Sequence, residues 1–146
     1  MAQRTFGPAT GFTFTNLGTI GSGAMAQSAA LPLAGHYDYL IRLTAARGTG
    51  AVTNDVDIYV APVKTDGTYV DGASGTSGTY SGTLRNAVYI GSLKVRTSLT
   101  DSVELSLLAT LKYIPAGCAL IAVNNTGGTM NGGVVAEVVP VSLGPQ

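Results

Sequence analysis

The sequence predicts an all-β chain, an antiparallel sandwich or barrel of about eight short strands with at most one helical turn. Three observations carry that prediction. Short runs with alternating apolar and polar residues recur along the chain, turn signals separate them, and only Leu107–Lys112 has helical spacing. No internal repeat points to a solenoid or propeller.

In chain order, residues 1–11 contain Gly7, Pro8 and Gly11, with Phe6 as the only large apolar side chain, which fits an N-terminal arm. Residues 12–146 are then one domain. Phe12-Thr13-Phe14-Thr15 alternates as a half-buried strand would, and Met25–Leu33 is expected to be an irregular strand. In Tyr37–Thr44 the alternation puts Tyr37, Tyr39, Ile41 and Leu43 on one face. A Gly- and Thr-containing turn at Ala45–Ala51 leads to Val52–Val60, where Val56, Ile58 and Val60 oppose Asp55, Asp57 and Tyr59.

Asp66-Gly67 and Asp71-Gly72 are turn dipeptides on either side of Tyr69. The polar stretch Ala73–Thr83 is expected to be an exposed, mobile connection. Strand character returns in Asn86–Val95 and Ser102–Leu107, after which Ile114-Pro115-Ala116-Gly117 ends the helical turn. The last two apolar runs, Cys118–Val123 and Val134–Val141, flank an Asn-, Thr- and Gly-rich linker. They are expected to form a β-hairpin, with Asn131-Gly132-Gly133 as a second turning point and Pro140 marking an edge or a strand end.

Composition narrows the function. Charged residues make up 11% of the 146 residues, under half of the roughly 25% typical of soluble domains. A surface of Thr, Ser, Asn and Gly is easier to desolvate than a charged one, which suits permanent packing against other subunits. Zero net charge leaves no basic footprint for nucleic acid. No apolar run has the length of a membrane span, and the N-terminus lacks the apolar core of a signal peptide, so the expectation is a soluble chain made in the cytoplasm without membrane contact.

The chemistry-bearing residues are sparse. Cys118 lies in an apolar run and is expected to be a buried, inert thiol. The glycines at 18, 21 and 23 have the wrong order for a dinucleotide fingerprint, and no Lys follows for a P-loop. His36 is the only imidazole, and GxSxG is absent. Asp55 and Asp57 would supply two oxygens of the six to eight that calcium wants, so they are expected to be solvated strand residues. These readings predict no enzyme, no cofactor and no metal. Asn124-Asn125-Thr126 matches a glycosylation pattern but is better explained as turn chemistry.

Several pieces occur in a suggestive order: Tyr37-Asp38-Tyr39-Leu40-Ile41, Val56-Asp57-Ile58-Tyr59-Val60, Asp66-Gly67-Thr68-Tyr69, Leu93–Val95, Ile114-Pro115-Ala116-Gly117 and Val123-Asn124-Asn125-Thr126-Gly127. Together, over roughly residues 17–141, they resemble small jelly-roll virion proteins of tailed bacteriophages, found as capsid decoration proteins or head and tail fibre components. This chain departs from them in lacking a bulky aromatic near Ala119. The resemblance implies a jelly-roll-like sandwich on the capsid exterior, bound to the major capsid protein or other virion subunits and self-associated, with a homotrimer as the default. Residues 1–11 or Ala73–Thr83 would then touch the shell, with Phe6, Phe12, Phe14, Tyr69 and Tyr80 as the partner contacts. The alternative is a fibre or receptor-binding module that holds a saccharide, for which Tyr59, Tyr69, Tyr80 and Tyr89 could supply stacking faces.

Overall fold

A computed structural model describes residues 3–47, 54–95 and 101–144. Ten strands form two antiparallel sheets: β1 (Arg4–Phe6), β2 (Thr10–Gly11), β3 (Met25–Gln27), β4 (Asp38–Arg47), β5 (Val56–Pro62), β6 (Gly78–Tyr80), β7 (Val88–Leu93), β8 (Asp101–Ser106), β9 (Cys118–Asn124) and β10 (Met130–Leu143). In the first sheet β1 and β2 lie along one side of β10, followed by β4 and β8; the second runs β6-β3-β9-β5-β7. With β1 and β2 counted as one interrupted strand and β6 as an addition, four strands remain in each sheet. Their order is that of a jelly-roll-like sandwich.

The core follows from alternation. Tyr39, Ile41 and Leu43 of β4 and Ala136 and Val138 of β10 face Val56, Ile58 and Val60 of β5 and Cys118, Leu120 and Ala122 of β9, all of them buried. Each Leu, Ile or Val removed from water there contributes about 1.5–3 kcal/mol. Leu17, from a 3-10 turn at Thr15–Gly18, joins the same core. So do Leu107 and Leu111 of α1 (Leu107–Leu111), which matches the predicted helical turn. The Ser106 hydroxyl caps α1 by accepting from the Ala109 N–H (3.0 Å). Asp38 accepts from the Leu108 N–H (2.8 Å), and Lys112 ends the helix in the left-handed conformation.

Several sequence expectations are corrected. First, Cys118–Val123 and Val134–Val141 are not a hairpin: β9 pairs with β3 and β5 in the second sheet, and β10 with β4, β1 and β2 in the first. Both strands are interior, so the linker is an arch between sheets. Second, Asn131-Gly132-Gly133 is a bulge within β10, because Met130 opposes Arg47 while Val134 opposes Ala45. Third, Pro140 is in an interior strand. Its carbonyl accepts from the Gly7 N–H (2.9 Å), so its ring nitrogen faces the break between β1 and β2, where the ladder needs no donor.

Fourth, Phe12–Thr15 is not a strand: pairing stops at Gly11, and Phe14 enters the core from a loop. Fifth, Ala73–Thr83 is not a free connection. It carries β6, and Ala73 and Tyr80 pack with Ala61 and Ile121 in a second small core on the outer face of the second sheet. The strand expected in Asn86–Val95 is not regular, because Ile58 opposes Gly91 and Tyr59 opposes Tyr89, leaving Ile90 as a bulge residue. Ala45–Arg47 of the expected turn continue β4, and of the expected strand Met25–Leu33 only Met25–Gln27 is paired; residues 48–51 of the turn and Val52 and Thr53 of the next expected strand lie outside the described residues.

Candidate functional site

The five residues expected to touch a partner fall in different settings. Phe14 and Tyr80 are 2% and 4% exposed and are interior side chains, out of a partner's reach. The Tyr80 hydroxyl lies 2.6 Å from the Asp71 carbonyl and 2.8 Å from that of Thr83, and burial, with Asp71 nearby, raises its pKa. Tyr69 is half-buried at the edge of the second small core, and burial raises its pKa too. Phe12 is half-buried. Phe6, by contrast, is 64% exposed.

Phe6 pairs with Val141, so it stands on the outer face of the first sheet, diagonal to Leu143. Val135 and Leu143, 47% and 46% exposed, are on the same face. Between β10, β4 and β8 the registry aligns Glu137, Arg42 and Glu104. Arg42 lies 3.0 Å from Glu104 and 3.5 Å from Glu137, so its charge is engaged on both sides. Each such exposed pair contributes at most about 1 kcal/mol. Val139 and Val141, on the same face, are buried, so the exposed apolar side chains flank a part of the face that is already covered.

Among the described residues, two of the depressions in the surface bear on function. One is an apolar groove of about 430 Å³, walled by Phe12, Phe14, Val134 and Ala136 with Thr13 at its rim. It exists because β2 ends at Gly11. After the Phe12 N–H donates to the Ala136 carbonyl (2.9 Å), the glycine bulge of β10 leaves its side of the sheet unfilled.

The other is a polar cleft of about 520 Å³ lined by Asn54, Asp55, Asp57 and Asn125. Asp57 accepts from the Ser92 hydroxyl (2.7 Å) and from the Asn125 amide (2.8 Å). The Tyr89 hydroxyl lies 2.7 Å from Ser92, whose proton points to Asp57, so the tyrosine is the donor. The Tyr89 ring, 50% exposed, meets Tyr59 edge to face at 5.5 Å. Burial, Asp57 and Tyr89 raise the Tyr59 pKa in that order. The sequence marked Asp55, Asp57 and the two tyrosines. Ser92 and Asn125 were missed, since only strand registry brings them to Asp57.

The remaining reactive groups are dispersed. His36 Nδ1 lies 3.0 Å from the Ser142 hydroxyl, and its ring packs edge to face on Tyr39. Cys118 is buried, and burial pushes its thiol up to about 12. Among the described residues there is no group of three or more His, Cys, Asp or Glu side chains that could hold a metal ion. No described helix is long and apolar enough to cross a membrane. Compared with family models, curated proteins and solved structures, the chain matches none.

Proposed function

We propose that the chain is a non-enzymatic structural protein of a virion, a decoration protein that packs on the exterior of an assembled bacteriophage head and stabilises it by contact. One observation carries this reading, the exposed apolar side chains on the outer face of the first sheet. Phe6, Val135 and Leu143 stand there around a charge row that is already internally paired. Such a face is inexpensive to desolvate against a permanent partner. A subunit that binds the closed shell and not its separated pieces stabilises the shell by mass action. The partners are the major capsid protein and other copies of this chain, with a homotrimer expected.

The test is the position and copy number of the chain on purified particles by cryo-electron microscopy. Many copies spread over the head support decoration, and a few at one vertex refute it in favour of a fibre or tail. Deleting residues 1–11 should weaken particle binding; full binding without them would remove the arm from the contact.

A second reading, a saccharide-binding fibre or receptor module, is favoured by the polar cleft. Asp57 and Asn125 are held by hydrogen bonds, and the Tyr89 ring lies open beside them. Each Asp57 oxygen keeps a lone pair for a sugar hydroxyl, and the aromatic face suits the apolar side of a pyranose. A glycan array with the intact chain and Tyr89→Ala decides it. Signal lost in the variant supports the site, and no signal from the intact chain refutes it.

A further inference from the structure

We infer that Asn131 is a site of self-modification: in the folded chain the backbone nitrogen of Gly132 displaces the Asn131 side-chain amide, and water opens the ring that results. The inference is independent of any partner, on a capsid or elsewhere.

The step needs only groups that the chain and water supply. The Gly132 nitrogen gives up its proton to solvent and bonds to Asn131 Cγ. The bond from Cγ to the amide nitrogen breaks, ammonia leaves, and a succinimide remains. Water then adds to one of the two ring carbonyls. Cleavage between Cγ and the ring nitrogen leaves aspartate; cleavage between the ring nitrogen and the main-chain carbon leaves isoaspartate, with the chain rerouted through the former side chain. A following glycine favours closure, because it has no Cβ to obstruct the approach and the freest backbone. Of the asparagines in the chain, only Asn131 precedes a glycine.

Structure decides whether such a pair reacts. A regular strand suppresses the reaction by holding the N–H in a ladder and the backbone extended. Here the register between β10 and β4 lapses after Met130 and resumes at Val134, so Asn131, Gly132 and Gly133 oppose no residue of β4. On the other side of β10, β2 reaches only Glu137, and the Phe12 N–H makes the last bond, to the Ala136 carbonyl. Gly132 has φ 155°, in the region left to glycine. Its carbonyl passes close to Gly18, but that carbonyl takes no part in the ring. Residues 131–133 are all exposed, so water reaches them. Among the described residues, hydrogen bonds engage the amides of Asn16, Asn86, Asn124 and Asn125 and not that of Asn131.

The chain contains its own comparison. Asp66-Gly67 and Asp71-Gly72 would close the same ring with loss of water, yet both carboxylates are tied down. Asp66 accepts from the Thr68 N–H (2.9 Å) and hydroxyl (2.6 Å). Asp71 accepts from the N–H groups of Asn86 and Ala87 (2.7 Å each) and from the Asn86 amide (2.8 Å). These two pairs are held away from reaction in the folded protein.

Conversion puts a carboxylate into a chain of zero net charge, next to Gly132 and Gly133, which line the apolar groove. Because residues 131–133 already lie outside the ladder, the bulge absorbs the extra backbone atom of isoaspartate. The fold is kept while the rim of the groove turns from neutral to anionic.

The full chain incubated for days in mildly alkaline buffer, folded and in parallel unfolded in guanidinium chloride, tests this by peptide mass mapping with chromatographic separation of aspartyl and isoaspartyl forms. In the folded arm Asn131 should exchange NH2 for OH and yield both products. Its rate should be within about tenfold of the unfolded arm, a barrier difference of about 1.4 kcal/mol or less. Reaction through the globally unfolded fraction alone would be at least about a thousandfold slower. Asp66 and Asp71 should isomerise only in the unfolded arm. Asn131→Gln, which has to close a larger ring, should stay unconverted. A folded Asn131 slower than the tenfold limit, isomerised Asp66 or Asp71 in the folded arm, or an Asn131→Gln chain that converts as fast as wild type would each overturn the inference.

Discussion

Replacing Asn124 tests what holds the arch between the two sheets. The side chain is fully buried at the end of β9. Its amide donates to the carbonyls of Ile20 (2.9 Å) and Gly128 (2.7 Å), and its oxygen accepts from the Thr126 N–H (3.0 Å) and hydroxyl (2.7 Å). Asn124→Ala removes all four bonds. The Ile20 carbonyl still accepts from the Met130 N–H, and that of Gly128 from the Thr126 hydroxyl, so both acceptors keep a partner. The Thr126 N–H keeps none.

At about 1 kcal/mol for each lost bond, with a further penalty for the stranded buried donor, the cost is about 3–5 kcal/mol. Against a total stability of about 5–15 kcal/mol this is a large share. At roughly 2–4 °C per kcal/mol for a chain near this size, it lowers the melting temperature by roughly 6–20 °C. Urea and thermal unfolding followed by circular dichroism measure it. Asn125→Ala is the control, because its exposed bond to Asp57 should cost about 1 kcal/mol or less. An Asn124→Ala protein within 1 kcal/mol of wild type would show that the arch is held by something other than this side chain.

Gly91 has φ 153° and a Cβ there would lie 2.6 Å from Leu105 Cδ2, so Gly91→Ala should cost about 2 kcal/mol in urea titration. Cys118, with its thiol at about 12, presents roughly one part in ten thousand as thiolate at pH 8. Ellman's reagent should leave the native protein unmodified and react on unfolding; rapid native labelling would contradict its burial. Burial raises the Asp71 pKa, but donation from the N–H groups of Asn86 and Ala87 and from the Asn86 amide outweighs it, leaving the carboxyl below its usual value. Asp66 is held at about 2, chiefly by the Thr68 hydroxyl and N–H. Both folded values lie below the unfolded one, so their stabilisation is present above about pH 4 and is lost as pH falls toward 2. Urea midpoints across that window should fall, and less steeply for Asp71→Asn than for wild type.

The strands were legible where one face is buried and the other wet. In β4 and β5 a period of two is imposed by the core itself, so Tyr39, Ile41 and Leu43, and Val56, Ile58 and Val60, were assigned to the correct face, whereas Tyr37, expected beside them, precedes β4 and is exposed. The helical turn was legible for the same reason, through Leu107 and Leu111. Pairing was not. Asn, Thr and Gly between two apolar runs satisfy a hairpin and an arch equally, because both need left-handed or tight backbone and neither leaves a different local mark. What separates them is whether each strand already has neighbours on both sides, and those neighbours, β3 and β5 for β9, β4 and β1 for β10, are remote in sequence.

The same limit explains the candidate sites. Tyr80 and Phe14 look like any exposed aromatic in a polar stretch until registry and a loop carry them inward. Asp57, Ser92 and Asn125 meet only because β7 and β9 flank β5, with Ser92 opposite Asp57 and Asn125 just past the end of β9. Phe6 alone was legible as an exposed apolar side chain, since one beside Gly7 and Pro8 has no long strand in which to hide. The groove beside β10 was not, because it is the consequence of an edge strand ending at Gly11 beside a bulge at Gly132 and Gly133. Grooves in a sandwich of this kind arise where strands stop, and strand ends are set by partners far along the chain.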